Sequence, residues 1–372
     1  MSKAAELAKW GEVSTNGQVS GRRNIIINGA MNVAQRSASV TGIGAAAGYF
    51  TLDRFKLNLA STAGRLTMTQ TADGPSGFAN CLKLDCTTAD TSIAAGENMI
   101  LQQKFEGQDV QQLKKGTSDA EKITVSFYAK QNEERDIVLA LYDSESDRYI
   151  GKVVTIGTDW TRHTVTFDGD TTGAITDDNA SRFELWWWLH SGTTFTSSAL
   201  TTTWAASTSG SNLAAGTESF FASTNNTFFI TGVQMEVGSV ATPFEHRSFG
   251  EELALCQRYY VKSFDYATTP AHNLTAEHEA VCCAFAANNA YGASINFPVE
   301  MRATPTLSIY NSSNIGGTNG RWAVYNGSWA SATGGTFVAS SSKGFSTALT
   351  GDSLTQFNAY LVNGNWACES EL

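Results

Sequence analysis

The residues of this chain best suited to recognition chemistry are aromatic. Trp322, Tyr325 and Trp329 flank Asn/Gly turns in the last third of the sequence, with Tyr310 a short way upstream. An aromatic ring beside amide side chains suits a sugar, because the ring stacks on the C–H face while the amides bond the hydroxyls. Turns carry such work more often than strands do. These four residues form the candidate glycan-binding set, and the competing reading is that they are core aromatics of a small sandwich. A second cluster is Trp186-Trp187-Trp188. On a strand, Trp186 and Trp188 share a face with Glu184 and His190, and Trp187 points the other way. That face either offers a platform to a sugar or packs on a second sheet or a neighbouring subunit, and packing is the preferred reading.

Other reactive groups point to little chemistry. His272 and His278, with Glu277 and Glu279, are the one histidine–carboxylate cluster, but their spacing fits no compact metal motif, and an exposed loop is expected. Asp168-Gly-Asp170 and Asp177-Asp178 have oxygens suited to Ca²⁺ and read as solvated turns. No metal or cofactor is expected. Glycoside cleavage needs a pair of carboxylates at a set separation, and nothing among the 35 acids selects one. A G-x-S-x-G elbow and a P-loop are absent, and Ser340-x-x-Lys343 lacks its companion motifs. The short repeat period of a parallel-stranded depolymerase is missing too. The sequence therefore reads as a non-enzyme.

Any such surface must be positioned by strands. With 372 residues the chain has length for two cores at about 150 residues per domain. Charged residues are 16%, hydrophobic residues 42%, and Gly, Ser, Thr and Asn crowd the stretches between apolar alternations, which suits an all-β chain rich in turns. The formal net charge of -10 disfavours nucleic acid, which needs a basic stripe to displace counterions. No apolar run nears the roughly 18 residues of a membrane span, and no secretory leader pattern opens the chain, so no membrane insertion and synthesis in a cytoplasm are expected. The six cysteines, at 81, 86, 256, 282, 283 and 368, are spaced like free, mostly buried thiols.

Residues 1–22 read as an arm, with Ser2 capping a helix that carries Leu7 and Trp10 and ends at Gly11. So short a helix is marginal alone, so it either docks into a larger particle through Leu7 and Trp10 or packs or frays locally. Residues 23–247 read as a jelly-roll-like β-sandwich. Ile123, Val125 and Phe127 share a face, residues 136–142 form a central strand, and His163, Val165 and Phe167 share a face, as do Phe183, Leu185, Trp187 and Leu189. In the closing strand Phe229, Thr231, Val233, Met235 and Val237 alternate against Ile230, Gly232, Gln234 and Glu236. The Ser/Thr/Gly-rich segment 191–226 is long for a loop in a compact domain and reads as either a functional surface loop or a flexible one. Ser248 and Glu251 read as the capping box of a connecting helix over 248–263, whose stripe Phe249, Leu253, Cys256 and Tyr260 packs on the sandwich or on copies of itself. Residues 264–372 read as a second, C-terminal β-sandwich, with strands over 280–287, 291–298 and 302–310.

Five phrases carry a family likeness. Asn24-Ile-Ile-Ile-Asn-Gly-Ala-Met-Asn-Val-Ala-Gln-Arg36 with Tyr49–Arg54 (YFTLDR), the stretch FFITGVQMEVGSVATPFEHRSFGEELALCQRYY over 228–260, FPVEMRATPTL, and the ending GNWACESEL together resemble bacteriophage tail-fibre and other virion-appendage proteins with a carbohydrate-binding-like jelly-roll domain. The resemblance implies a non-enzymatic structural subunit of the virion, assembled as a trimer, attached through its N-terminal arm to other virion proteins and binding a host surface glycan through its distal domain. The alternatives are a polysaccharide depolymerase and a head-fibre, capsid-decorating or adaptor protein without a ligand.

Overall fold

Period-two hydrophobicity becomes an all-β, antiparallel chain in the computed structural model, which describes residues 3, 22–44, 46–207, 210–276, 278–313, 320–332, 337–350 and 354–372. The proposed arm, with Leu7 and Trp10, lies outside the described residues. The chain divides into two compact units. Among the described residues, unit 1 takes those up to Ala34, those from Ser39 to Ser248 and Leu372, and unit 2 takes Gln35–Ala38 and those from Phe249 to Glu371.

Unit 1 contains β1 (Ser39–Ile43), β2 (Lys56–Ala60), β3 (Arg65–Thr71), β4 (Cys81–Thr88), β5 (Asn98–Glu106), β6 (Ile123–Gln131), β7 (Arg135–Asp143), β8 (Arg148–Ile156), β9 (Thr161–Phe167), β10 (Ser181–Ser191), β11 (Ala205–Ala206) and β12 (Thr227–Val237), with a short helix α1 (Thr193–Thr196). Sheet A runs β1-β3-β4-β12-β6-β9 and sheet B runs β11-β8-β7-β10-β5-β2. From β4 onward the chain repeatedly crosses between the sheets, which is the winding of a jelly-roll sandwich. One core joins the sheets: Leu66, Leu84, Val125, Phe127, Ile230 and Met235 from sheet A meet Leu57, Leu101, Leu139, Leu185 and Trp187 from sheet B. The Trp187 ring is fully buried, edge-on to Phe127 at 5.9 Å. The alternations read in β6, β9 and β10 are thereby realised, and the run over 136–142 is an interior strand of sheet B, β7.

The closing strand departs from its expected phase. Phe228 and Ile230 enter the core, but Val233 and Met235 follow, so Phe229 faces outward. The pairing with β6 slips between Thr231 and Gln234, and Gly232 sits there at φ +60°. A bulge with a left-handed glycine shifts the alternation by one residue.

The two phrases that carry most of the family likeness meet in this strand. The backbone N–H of Ile25 donates to Met235 O at 3.0 Å, and that of Val233 donates to Gly29 O at 2.9 Å. Asn24 Oδ1 accepts from the amides of Ile26 and Met235, and the Arg247 guanidinium donates to the carbonyls of Asn24 and Ile26. Asn28, left-handed at φ 62°, donates through its side chain to Val33 O and Asp53 O, which ties in the YFTLDR phrase.

Unit 2 contains α2 (Phe249–Gln257), β13 (Tyr260–Lys262), β14 (His278–Ala286), β15 (Asn289–Asn296), β16 (Thr306–Tyr310), β17 (Ala323–Tyr325), β18 (Trp329–Ser331), β19 (Phe337–Ser341), β20 (Gly344–Thr350) and β21 (Ala359–Glu369). β21 is the spine. Its first half pairs with β14 and β17, and its second half pairs with β13 and β16. Cys282, Phe345, Leu349 and Val362 from the first part share a core with Val261, Ile309, Trp366 and Cys368 from the second.

The expected helix over 248–263 is shorter, and its stripe dissolves. Tyr260 belongs to β13 and is paired with Glu369, because an extended β21 offers a ladder that the helix lacks. Cys256 and Tyr260 are buried, Leu253 is half-buried, and Phe249 is exposed with its ring edge-on to Tyr266 at 5.3 Å. None of the six cysteines is in a disulfide, and Cys283 alone among them is exposed, on the face opposite its neighbour Cys282. Burial pushes the thiols of Cys81 and Cys368 up to about 12.

Candidate functional site

Tyr325 and Trp329 face each other across a two-stranded hairpin. Ala323–Tyr325 pairs with Trp329–Ser331 so that Tyr325 lies opposite Trp329, and the rings are 5.4 Å apart at 61°. The turn between them is Asn326-Gly327-Ser328. Gly327 takes φ +81°, which suits glycine, and Asn326 N–H donates to Ser328 O at 3.2 Å. At the base Ala332 N–H donates to Trp322 O at 2.9 Å, and Arg321 donates to Ala332 O at 3.0 Å. The hairpin thus sets the two rings side by side on one of its faces.

The rings continue into an open apolar row. Tyr325 lies beside Leu361 of β21, which lies beside Val281 of β14, and the three are 42%, 43% and 50% exposed. Phe285 and Tyr291 extend the surface with rings 4.7 Å apart. A contiguous apolar face on a sheet is a contact surface more often than an accident. Strand alternation in 278–286 and 359–363 was the signal for Val281 and Leu361; their meeting with Tyr325 is long-range and invisible in sequence.

The other two expected binding residues lie elsewhere. Trp322 is fully buried in the unit 2 core. It packs on the backbone of β21 at Gly364, where an added Cβ would come within 2.9 Å of Trp322 Cε3. Its role is packing beneath the hairpin, contrary to the sequence expectation. Tyr310 is a half-buried residue of β16 whose ring touches Phe264 and His272, at 5.2 Å each, away from the hairpin pair.

The tryptophan triplet is resolved into two environments. Trp187 is core, and Trp186 and Trp188 lie on the other face of sheet B, where Phe195, Leu200, Leu213 and Ala214 of the same chain pack with them and leave both buried. The expected cover was a second sheet or a subunit; it is the Ser/Thr/Gly-rich loop.

Asp170 is not a solvated turn. Its carboxylate receives Arg148 at 2.6 and 2.9 Å and lies 3.1 Å from the Lys115 ammonium. Lys115 also donates to Asp143 at 2.5 Å and to the carbonyls of Thr172 and Gly173 at 2.9 and 2.8 Å. Two buried carboxylates are thus balanced by two cations of the chain itself. Burial by itself raises the Asp170 carboxyl, but the Arg148 and Lys115 bonds outweigh it and hold it below the usual range. Asp168 is exposed and paired with Lys122, and Asp178 pairs with Arg182. No group of three His, Cys, Asp or Glu residues suited to a metal occurs among the described residues, and Glu277 lies outside them.

Ser219, His190 and Glu97 form a serine–histidine–carboxylate line among the described residues. His190 Nδ1 is 2.8 Å from Ser219 Oγ, and His190 Nε2 is 3.2 Å from Glu97. The imidazole is fully buried against Phe221, and Ser219 Oγ accepts the Phe221 amide as the cap of a short 3-10 turn. These contacts pin a corner of the sandwich. Burial pulls the imidazoles of His190 and His163 below the ordinary histidine value, with Glu97 opposing the shift at His190. A histidine held neutral in the folded state binds its proton more weakly than in the unfolded chain, so stability is fully present above about pH 6.5 and falls as pH drops toward the folded values. Asp90 and Asp170 titrate low despite burial, because hydrogen bonds prevail, and they add a second loss below about pH 4. Urea unfolding is expected to show a lower midpoint at pH 5 than at pH 8 and a further drop at pH 3; an unchanged midpoint from pH 8 to 5 contradicts the histidine assignment.

No family description matches the sequence, and no curated protein does either. Solved structures give distant matches. A family 4 carbohydrate-binding module (CBM4) is 13% identical, with 56% of this chain and 97% of that chain covered at a TM-score of 0.29. The CBM22-1 xylan-binding domain from Paenibacillus barcinonensis Xyn10C is 9% identical, covering 60% of this chain and all of its own at 0.29. The enzymatically active domain of Bacteriophage CBA120 tailspike protein 4 is 12% identical over 57% of this chain and 21% of that one, also at 0.29. Similarity at this level carries no inference about ligand or activity.

Proposed function

We propose that this chain is a non-enzymatic structural subunit of a bacteriophage particle, a tail fibre, that binds a host surface glycan through the Tyr325–Trp329 hairpin of unit 2. The ring pair, exposed at Tyr325 and half-buried at Trp329, carries the glycan part of the reading. It is fixed by a turn, half-open to solvent and continuous with an apolar row, which are the requirements for stacking on sugar rings. The virion part rests on the phrases over 24–36, 49–54 and 228–260, of which Asn24, Ile25, Asn28, Gly29, Asp53, Val233, Met235 and Arg247 share hydrogen bonds within unit 1.

A single shallow ring pair binds weakly, so several copies acting together supply the avidity. A trimer made in the host cytoplasm and carried on the virion satisfies this, with the arm, including Leu7 and Trp10, attached to other virion proteins. Light scattering is expected to give three times 39.9 kDa. Particles whose chain lacks residues 264–372 are expected to assemble and to lose adsorption to host cells. Adsorption that survives this deletion contradicts the receptor-binding assignment, and release of new reducing ends from host polysaccharide by the purified chain contradicts the non-enzymatic one.

A further inference from the structure

We propose that Asn326, in the turn of the Tyr325–Trp329 hairpin, is a site of spontaneous covalent modification. Its side-chain amide condenses with the Gly327 backbone nitrogen to a succinimide, which water opens to an aspartyl or an isoaspartyl residue. Glycine after asparagine leaves the attacking nitrogen with no neighbouring Cβ to hinder its approach. Asn326, Gly327 and Ser328 are all exposed, and neither the Asn326 side chain nor the Gly327 N–H has a hydrogen-bond partner among the described residues.

Water is the sole co-reactant. The Gly327 nitrogen gives its proton to base and attacks Asn326 Cγ; as that bond forms, the Cγ–Nδ2 bond breaks and ammonia leaves with a proton from solvent. Hydrolysis of the ring between the Gly327 nitrogen and Cγ restores the main chain with a carboxylate on its side chain. Hydrolysis at the main-chain carbonyl of Asn326 instead leaves the main chain running through Cβ and Cγ, one atom longer. Both products place a negative charge beside the rings. The longer one also breaks the register that sets Tyr325 opposite Trp329.

The fold selects this asparagine over others with the same neighbour. Asn-Gly occurs with asparagine at 16, 28, 319, 326 and 363, and Asn16 and Asn319 lie outside the described residues. Asn28 is fully buried, and its amide donates to Val33 O and Asp53 O and accepts from Val33 N–H. The Gly29 that follows it is pressed against Val233 O. Asn363 is 1% exposed, its Oδ1 accepts the Ser312 hydroxyl at 2.8 Å, and Gly364 is packed against the Trp322 ring. Cyclisation at Asn28 or Asn363 must break these bonds and swing a side chain within a packed core, so it waits on local opening. At Asn326 nothing has to open.

The chemistry does not depend on the hairpin binding a glycan, and its test uses no ligand. The full chain is held at pH 8.5 and 37 °C, sampled over time and digested with pepsin in acid, which halts the reaction, and the peptides are weighed. The peptide holding Asn326 is expected to exchange NH2 for OH at least tenfold faster than those holding Asn28 and Asn363. The rate is expected to rise with pH, because the attacking nitrogen must lose its proton, and in concentrated urea the three rates are expected to converge. Asn326→Gln, which would need a six-membered ring, is expected to abolish the exchange at that position with the unfolding midpoint unchanged. In protein with ¹⁵N-labelled tryptophan, the Trp329 indole resonance, assigned with Trp329→Phe, is expected to gain a second signal that grows with the isoaspartyl fraction. Exchange at Asn326 no faster than at Asn28 or Asn363 in the folded chain overturns the proposal. A preference for Asn326 that survives in urea overturns selection by the fold, and a Trp329 signal unchanged in isoaspartyl material overturns the effect on the ring pair.

Discussion

Replacing Lys115 with methionine is expected to destabilise unit 1 by about 3–5 kcal/mol. The ammonium is 4% exposed and meets the Asp143 and Asp170 carboxylates, which are also buried, together with two carbonyl oxygens. Methionine fills a similar volume but leaves Asp143 with no cation, and an uncompensated buried charge is much worse than no pair at all. Asp170 keeps Arg148. The double variant Lys115→Met with Asp143→Asn is therefore expected to recover part of the loss, because it removes a positive and a negative charge together and keeps the acceptor for the amides of Glu145 and Ser146. Urea denaturation of the four members of this cycle measures the coupling. A loss below about 1 kcal/mol for Lys115→Met would show that the cluster is solvated, as surface pairs are.

Gly29→Ala is expected to cost about 3 kcal/mol or more. A Cβ at this position would lie 2.1 Å from the carbonyl oxygen of Val233, and that neighbour is backbone within β12, so it has no rotamer to move to. Relief requires the junction to open, which breaks the bond from Val233 N–H to Gly29 O and loosens the Asn24 and Arg247 contacts on the same strand. Gly96 is the control. Nothing lies within 4 Å of a Cβ there, and Gly96→Ala is expected to stay within about 0.5 kcal/mol of the parent. Equal effects at the two glycines in thermal unfolding would contradict this account of the junction.

Strand identity was legible where one face is core and the other is not. β6, β9 and β10 follow the alternation of Ile123, Val125 and Phe127, of Val165 and Phe167, and of Phe183, Leu185 and Trp187. Phase was lost in β12, because a bulge at Gly232 is a property of the pairing with β6, which local periodicity does not report. Tyr260 looked helical for the same reason: its ladder partner, Glu369, is more than a hundred residues away. Half of the candidate site was readable. Tyr325 and Trp329 flank a short Asn-Gly turn, and local spacing alone puts them on one hairpin face. Trp322 has equally suggestive neighbours, but what decides its place is Gly364 on another strand. The Lys115 cluster was hidden because its members, Asp143, Arg148 and Asp170, are separated by loops and meet only when the sandwich closes.

Binding of the full chain to immobilised outer-surface polysaccharide of susceptible host cells, compared with the Tyr325→Ala/Trp329→Ala variant, tests the central claim most directly. The parent is expected to be retained, and the double variant is expected to bind at least tenfold more weakly, about 1.4 kcal/mol, with an unchanged unfolding midpoint. Equal retention of the two proteins, with both folded, would contradict the assignment of the glycan to this hairpin.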